Sequence, residues 1–334
     1  MDSYPKISII TPNFNGGPFL EETLKSVINQ KYPNLEFIVI DGGSTDESVE
    51  IIKSYEKDLT YWVSEPDSGQ SEAINKGLQK CNGRIINWLN SDDYYQPNIL
   101  FEIAEIYNSY SPLVISGRSR IFDSASEKTL KYSKGTDVYT GNLAKTLGWA
   151  RMDQPETFFT REAIDIMGAL NEDLHYIMDR EWWIRYLLHF GQERIYKGDE
   201  VWVNFRIHGD SKTTNHSDLF ESEHLSLFHF LAKSVHENKI QDFLTQNFNI
   251  QETLAFAQLE QFIEPNKELI RQALHYQLLL QADIAYANER WELAKKSLKV
   301  INPSLLAPKD RKYLKKIFSR VTLLPKYLIR ALRR

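Results

Sequence analysis

The sequence predicts an α/β protein, with a mostly parallel sheet flanked by helices in its N-terminal part and an α-helical C-terminal region. Three observations predict it. Apolar runs of strand length alternate with helical patterns over the first hundred residues, a polar loop follows each run, and strand signals nearly vanish after residue 217. Strand, helix, strand at short spacing is the pattern of a parallel sheet covered on both faces.

Taken in order, "ISII" at 7–10 leads to a helical pattern at 18–30, and "EFIVI" at 36–40 to one at 45–57. "TYWVS" at 60–64 leads to 70–80, and "RIINWL" at 84–89 closes the series. After the second run the spacing predicts a turn at Gly42 and Gly43, a helix cap at Ser44 and a capping box completed by Glu47. From 111 to 205, the strand candidates "LVISG" and "VWVNFRIH" surround helices at 161–168 and 179–190. Beyond "HGDSKTTNHSD" only helical periodicity remains, so residues 1–216 are read as one domain, 217–308 as a helical region and 309–334 as a basic amphipathic tail. The stretch "ADIAYANERWELAKKSLKVINP" is faintly similar to a single tetratricopeptide hairpin.

Charge is unevenly spread. From Lys309 to Arg334 ten basic residues meet one acidic residue, a net of +9, so with −5 overall the remaining chain carries −14. A short basic tail on an acidic body argues against nucleic-acid binding. The single cysteine, Cys81, excludes an intrachain disulfide framework and fits a reducing compartment. "MDSYPKISII" lacks the basic start of a secretion signal, and no window reaches the roughly 20 apolar residues of a membrane span. A cytoplasmic location is expected, with membrane contact at most peripheral, at the inner face of the plasma membrane.

Ligands of parallel sheets bind beyond the carboxyl ends of the strands, so the loops there deserve most weight. They read "TPNFNG", "DGGSTD", "EPDSGQ" and "NSDD". Asp41 is left over once the turn and cap of its loop are accounted for, and is read as free to accept hydrogen bonds from a base or ribose. Glu65 and Asp67 lie at the same edge, whereas Asn75 is read as an ordinary exposed helix residue. These loops gather carboxylates and no lysine for a phosphate. A bridging divalent cation, Mg²⁺ or Mn²⁺, resolves that mismatch, because such ions take one or two carboxylates plus phosphate oxygens. Adjacent Asp92 and Asp93 would supply the protein side, with one on the metal and the other on the ribose if side chains alternate as in a strand.

Together, "SIITPNFNGGPFLEETLKSVINQKYPNLEFIVIDGGSTDES", "EPDSGQSEAINKG" and "INWLNSDD" resemble the family 2 glycosyltransferases, in order and over about the first 210 residues. The resemblance implies a GT-A, Rossmann-like nucleotide-binding domain and inverting transfer of a sugar from a nucleoside diphosphate sugar, with a UDP-sugar expected, to a glycan or lipid-linked acceptor in polysaccharide or glycolipid synthesis. It places Pro12, Asn13 and Asn15 in the first nucleotide-binding loop and Asp41 on the base, with Asp67 and Gln70 also on the nucleotide sugar. Asp92 and Asp93 fall on the D-x-D-type motif, whose last aspartate, here Asp93, holds the metal; the first motif position is Ser91.

The segment "QPETFFTREAIDIMGALNEDLHYIMDREWWIRY" resembles the acceptor half of that family, with Asp179 at the position of the general base and Glu181 next in line. A displacement at the anomeric carbon needs a base for the acceptor proton, and a carboxylate in reach can serve. Asp179 could equally cap the helix that follows. Trp182 and Trp183 are read as core. In "VNFRIHGDS" the resemblance brings Arg206 to the diphosphate and His208 to the metal. Two other readings stay open: a sugar-phosphate nucleotidyltransferase, though "TPNFNGGPF" lacks the basic residue expected of one, and a non-catalytic carbohydrate-binding protein. In the tail, Tyr313, Ile317, Val321 and Leu324 recur at helical spacing beside lysines and arginines, which predicts a helix lying on an anionic membrane.

Overall fold

A computed structural model describes residues 4–149, 151–209 and 211–323. In chain order the elements are β1 (Ile7–Asn13), α1 (Gly17–Ile28), β2 (Leu35–Asp41), α2 (Ser48–Ser54), β3 (Tyr61–Ser64), α3 (Gln70–Lys80), β4 (Ile85–Trp88), β5 (Tyr94–Tyr95) and α4 (Ile99–Tyr110). Next come β6 (Val114–Asp123), β7 (Thr129–Tyr132), α5 (Leu143–Trp149), β8 (Thr157–Thr160), α6 (Arg161–Met167), α7 (Met178–Phe190), β9 (Ile195–Ile207) and α8 (Lys212–Asn215). The helices α9 (Ser217–Ser234), α10 (Asn238–Asn247), α11 (Ala257–Glu260), α12 (Lys267–Ala287), α13 (Trp291–Val300) and α14 (Pro308–Leu323) complete the described chain. It divides into two compact units: one takes the chain up to Asp137 and Arg151–Ser217, the other the excursion from Val138 and everything from Asp218 on.

All strands belong to the first unit and form a nine-stranded sheet in the order β3-β2-β1-β4-β8-β6-β9-β5, with β7 on β6. The first four are parallel, as the alternation predicts. Beyond β4 the sheet becomes mixed, since β8 runs antiparallel to both β4 and β6 while β9 runs parallel to β6. Burial on both faces explains why β1 is mainly apolar up to Ile10, interrupted only by Ser8, which bonds Glu36, before polar Thr11 and Asn13: all seven of its residues are buried. Leu20, Leu24 and Val27 of α1 pack into the same core as Ile9, Phe37 and Ile99. Each such side chain contributes about 1.5–3 kcal/mol by leaving water.

Register decides where the polar ends meet. Asn13 pairs with Asp41 across β1 and β2, and Asp41 with Ser64 across β2 and β3. Three strands thus deliver their last polar side chains to one edge.

Two local expectations do not hold. Ser44 does not cap α2, which starts at Ser48 with no side-chain cap, because its hydroxyl is taken by Asp41. Asn75 is buried, not exposed: its side chain bonds the carbonyl of Leu170 at 3.0 Å, the carboxylate of Glu172 at 2.8 Å and the N–H of Leu170 at 2.8 Å, pinning the chain that leads to α7.

In the second unit α12 and α13 form a hairpin joined by residues 288–290, with Tyr286 edge-on to Trp291. Helix α5, which the sequence places in the first domain, packs on α12. Trp149 Nε1 donates to the carbonyl of Tyr276, and a Cβ on Gly148 would stand 2.3 Å from the carbonyl oxygen of Ala273, so only glycine permits this crossing. The segment 309–323 is not a separate tail either. Helix α14 buries Leu314, Ile317 and Asp310; Asp310 pairs with Lys145 at 2.6 Å, and the hydroxyl of Tyr313 donates to Asp283. The apolar stripe assigned to a membrane therefore faces protein over this stretch; Leu324 and the rest of the tail lie outside the described residues. No helix among the described residues is long and apolar enough to cross a membrane.

Candidate active site

The carboxyl edge of the parallel strands is organised around Asp41. Its side chain is fully buried and accepts from Asn13 Nδ2 (2.7 Å), Ser44 Oγ (2.5 Å), Ser64 Oγ (2.6 Å) and the N–H of Ser44 (3.0 Å). Burial pushes the carboxyl up, but the bonds from Ser44, Ser64 and Asn13 outweigh it and hold Asp41 below the usual carboxylate range. The sequence reading left this carboxylate free at the sheet mouth; the structure gives it a full set of donors and makes it the anchor of its neighbours. Asn15, in the left-handed region at φ 50°, donates its N–H to Ser44 Oγ and accepts from the N–H of Thr45, which joins the first two loops. Pro12 is buried and shapes that loop from within. Between Asn13 and Asn15 stands Phe14, 66% exposed, an apolar ring held at the rim of a polar edge. The pattern reading did not single it out; its signal was an aromatic inside a loop that otherwise carries small and polar residues.

The third loop approaches closely. A Cβ on Gly42 would lie 2.7 Å from the Asp67 carboxylate, which takes the N–H of Gly69, and burial raises the pKa of Asp67. Gln70 opens α3 and bonds Asn90 at 2.7 Å, tying this loop to the fourth; Lys212 Nζ lies 3.4 Å from Gln70 on its other side. Asn90 belongs to the expected fourth loop, whereas Lys212 was not expected at the site.

Asp92 and Asp93 sit in a turn, so strand alternation does not apply to them. Asp92 is half-buried, its carboxylate 3.1 Å from Nε2 of His208. Asp93 is 1% exposed and accepts the N–H of Arg206 through Oδ1 at 3.0 Å, while its Oδ2 is buried with no hydrogen-bond partner. Burial first, and the Asp92 charge second, raise Asp93 well above the carboxylate range. Of the two aspartates it is Asp92, read toward the ribose, that directly meets His208, with Asp93 behind. Among the described residues no three acidic, histidine or cysteine side chains already converge on one point. The buried oxygen of Asp93 without a partner, the Asp92 carboxylate and the imidazole of His208 nonetheless fit a hard divalent cation that takes its other ligands from phosphate and water. A cleft of about 460 Å³, lined by Asp123, Ser124, Ile207 and Gly209, opens beside His208.

Arg206 is placed differently from the diphosphate role assigned to it. Its side chain is 5% exposed; it pairs with Glu22 and donates from Nε to the carbonyl of Asp92 at 2.9 Å.

Asp179 occupies the first turn of α7, where Ile177 holds the cap position, so Asp179 is not the cap. Its carboxylate accepts the N–H of Arg180 at 2.7 Å, and burial pushes it up to about 6 against the pull of that bond and of the Arg180 charge. Burial, joined by Asp153, whose charge also acts on Asp179, pushes Glu156, held by Ser119 and Ser133, up to about 8. Glu181 is fully buried in an ion pair with Arg185 at 2.8 Å and is thereby removed as a candidate base. Trp182 and Trp183 are core, as read.

The comparisons bear directly on this arrangement. Residues 8–165 match the sequence profile of glycosyl transferase family 2, a span that holds β1 to β4 and every acidic loop. Over this span, just under half of the chain, the sequence is similar to glycosyl transferase family 2. An uncharacterized glycosyltransferase of Rickettsia typhi is 28% identical over 221 residues, 63% of this chain and 66% of its own length, so the chain spans about two-thirds of that relative. TuaG of Bacillus subtilis, named for teichuronic acid biosynthesis, is 36% identical over 99 residues, 29% of this chain and 39% of its own. Among solved structures, Staphylococcus aureus TarS 1-349 in complex with UDP-GlcNAc superposes with a TM-score of 0.59 at 17% identity, covering 95% of this chain and 89% of that one. The fold is that of the GT-A glycosyltransferases.

Proposed function

We propose that this family 2 domain transfers a sugar from a nucleoside diphosphate sugar to an acceptor hydroxyl with inversion, in cell-surface polysaccharide synthesis. The observation that carries the proposal is the pairing of one edge with one base: nucleotide loops keyed to Asp41, the Asp92, Asp93 and His208 group beside a cleft, and a half-buried carboxylate at Asp179 with its pKa near 6. The donor favoured is a UDP-sugar, in line with the ligand of TarS, and the acceptor class follows the naming of TuaG. Phe14 would stack on the base, and Asn13 and Asn15 would meet its polar edge. Asp92, Asp93 and His208 would hold Mn²⁺ or Mg²⁺, which neutralises charge on a departing diphosphate. Asp179, basic above its raised pKa, would take the proton of the acceptor hydroxyl. Contact with an anionic membrane is proposed for the exposed cations of α14, for a lipid-linked acceptor.

The test is a panel of UDP-, GDP- and dTDP-sugars with the purified full chain, scoring thermal stabilisation and release of nucleoside diphosphate. One UDP-sugar should stabilise the protein by several degrees in Mn²⁺ or Mg²⁺, and the gain should vanish in excess chelator. No stabilisation by any member under either condition would overturn the proposal.

A further inference from the structure

We propose that Arg206 is a positioning residue that holds Asp92 and Asp93 in place from behind, with Glu22 of α1 as its counter-ion, and that this strut sets the affinity of the site for a divalent cation. The inference rests on the metal reading above but concerns residues that would not touch the metal.

The geometry singles out Arg206. Its guanidinium is enclosed by three rings from three elements: Phe19 of α1 at 4.7 Å, Phe122 of β6 at 4.9 Å and Tyr94 of β5 at 5.5 Å. Its polar atoms are directed at protein groups. Nη2 meets Glu22, Nη1 lies 3.3 Å from Ser124 Oγ, and Nε donates to the carbonyl of Asp92, while its own main-chain N–H bonds the Asp93 carboxylate. One residue of β9 therefore holds the main chain of one aspartate and the side chain of the next. A cation in an aromatic box, paired and 5% exposed, would have to give up all of these contacts to reach a diphosphate.

A second tie comes from the residue after Glu22. Thr23 Oγ1 lies 2.9 Å from the carbonyl of Ser91 and 2.7 Å from that of Asp93. Helix α1 thus holds the turn through Thr23 directly and through Glu22 and Arg206 indirectly. Two residues beyond Arg206, the ring of His208 rests on Phe19 at 4.7 Å, so the aromatic that covers the guanidinium also orients the imidazole. Groups that orient metal ligands typically change metal affinity by about 10- to 100-fold when lost, without contacting the ion.

Glu22, half-exposed and paired with Arg206, separates the two roles available to the arginine. If Arg206 serves the turn, Glu22→Gln and Arg206→Lys weaken the same strut. Each should lower the affinity for Mn²⁺ alone, read by electron paramagnetic resonance without any nucleotide, by about 10-fold or more, and the double variant should be little worse than either. Amide exchange by mass spectrometry on the same proteins, free of metal, should speed up across residues 88–96 in each variant. If Arg206 serves the diphosphate instead, Glu22→Gln leaves both measurements unchanged and Arg206→Lys weakens only the nucleotide; that result overturns the proposal. Should wild-type protein bind no Mn²⁺, the metal reading fails by itself, and unchanged exchange in Glu22→Gln would still overturn the strut.

Discussion

Asp179 illustrates how a single residue can put function and stability in opposition. Burial at the start of α7 lifts its pKa from the ordinary 3.8 to about 6. A carboxyl whose folded value is raised contributes stability below its unfolded value, and that contribution is lost as pH rises through the folded one. The basic form that the proposed role requires is thus the form the fold tolerates least, which is common where a site is tuned for proton transfer. Turnover should rise with pH along a limb centred near 6, and Asp179→Asn should lower kcat by roughly 100-fold or more with little change in donor affinity. The same variant should flatten the loss of thermal stability between pH 4 and 6. Unchanged turnover with an acceptor would remove Asp179 from the base role. At this scale the sequence was legible in placing Asn13, Asp67 and Asp92 in loops at the carboxyl edge of the sheet, though not in their partners. It was not legible where long-range partners decide: Asp41 and Asn75 are buried by contacts that no local pattern encodes, and the orientation of Arg206 depends on rings contributed by three separate elements.

Elements were read more fully. Helix α3 is found over the span the periodicity predicts, 70–80; β2, β3 and β4 follow their apolar runs within a residue, and β1 continues three residues past its run to Asn13. Helix α14 is the instructive exception, since a stripe of apolar residues beside lysines is the same pattern whether the stripe meets lipid or protein. Leu314 and Ile317 meet protein, while Lys309, Lys312, Lys315 and Lys316 are exposed. Two consequences separate the two faces. Leu314→Ala should cost about 2–3 kcal/mol in thermal unfolding, as a buried truncation does. Membrane contact, if it rests on the cations, should show as sedimentation with vesicles that rises with anionic lipid and falls with salt, because each cation near such a surface is worth about 1 kcal/mol. Lys312→Glu with Lys316→Glu should abolish that sedimentation while leaving the melting temperature within a degree or two. Full-length protein that stays in the supernatant with anionic vesicles at low salt would remove the membrane proposal.

For the whole molecule, the chain passes between the two units three times, near 137, 150 and 217, and the sequence revealed only the last of these crossings. Composition shifts mark the point where strands give out, but a thirteen-residue excursion inside an α/β pattern looks like any other loop and helix. The physical consequence is that the first unit is not freed by cutting at the visible boundary. A fragment ending at Ser217 keeps α5 but loses α12, and so exposes Ala144 and Leu147, which are otherwise buried, together with Trp149. Stranded side chains of this size forgo about 1.5–3 kcal/mol each and leave an apolar patch open to association. Such a fragment should bind a hydrophobic dye and aggregate at concentrations where the full chain stays in solution. Removing the excursion should cure it, because its two ends already meet: the N–H of Asp137 donates to the carbonyl of Arg151 at 2.8 Å, so a two- or three-residue glycine-serine link can replace 138–150 without moving either end. The shortened fragment is expected to unfold in one cooperative step, checked by calorimetry, and to keep the stabilisation by a UDP-sugar expected of the full chain. If the fragment with α5 retained is already soluble and cooperative, the excursion does not depend on α12, and the first unit extends over residues that the contacts assign to the second.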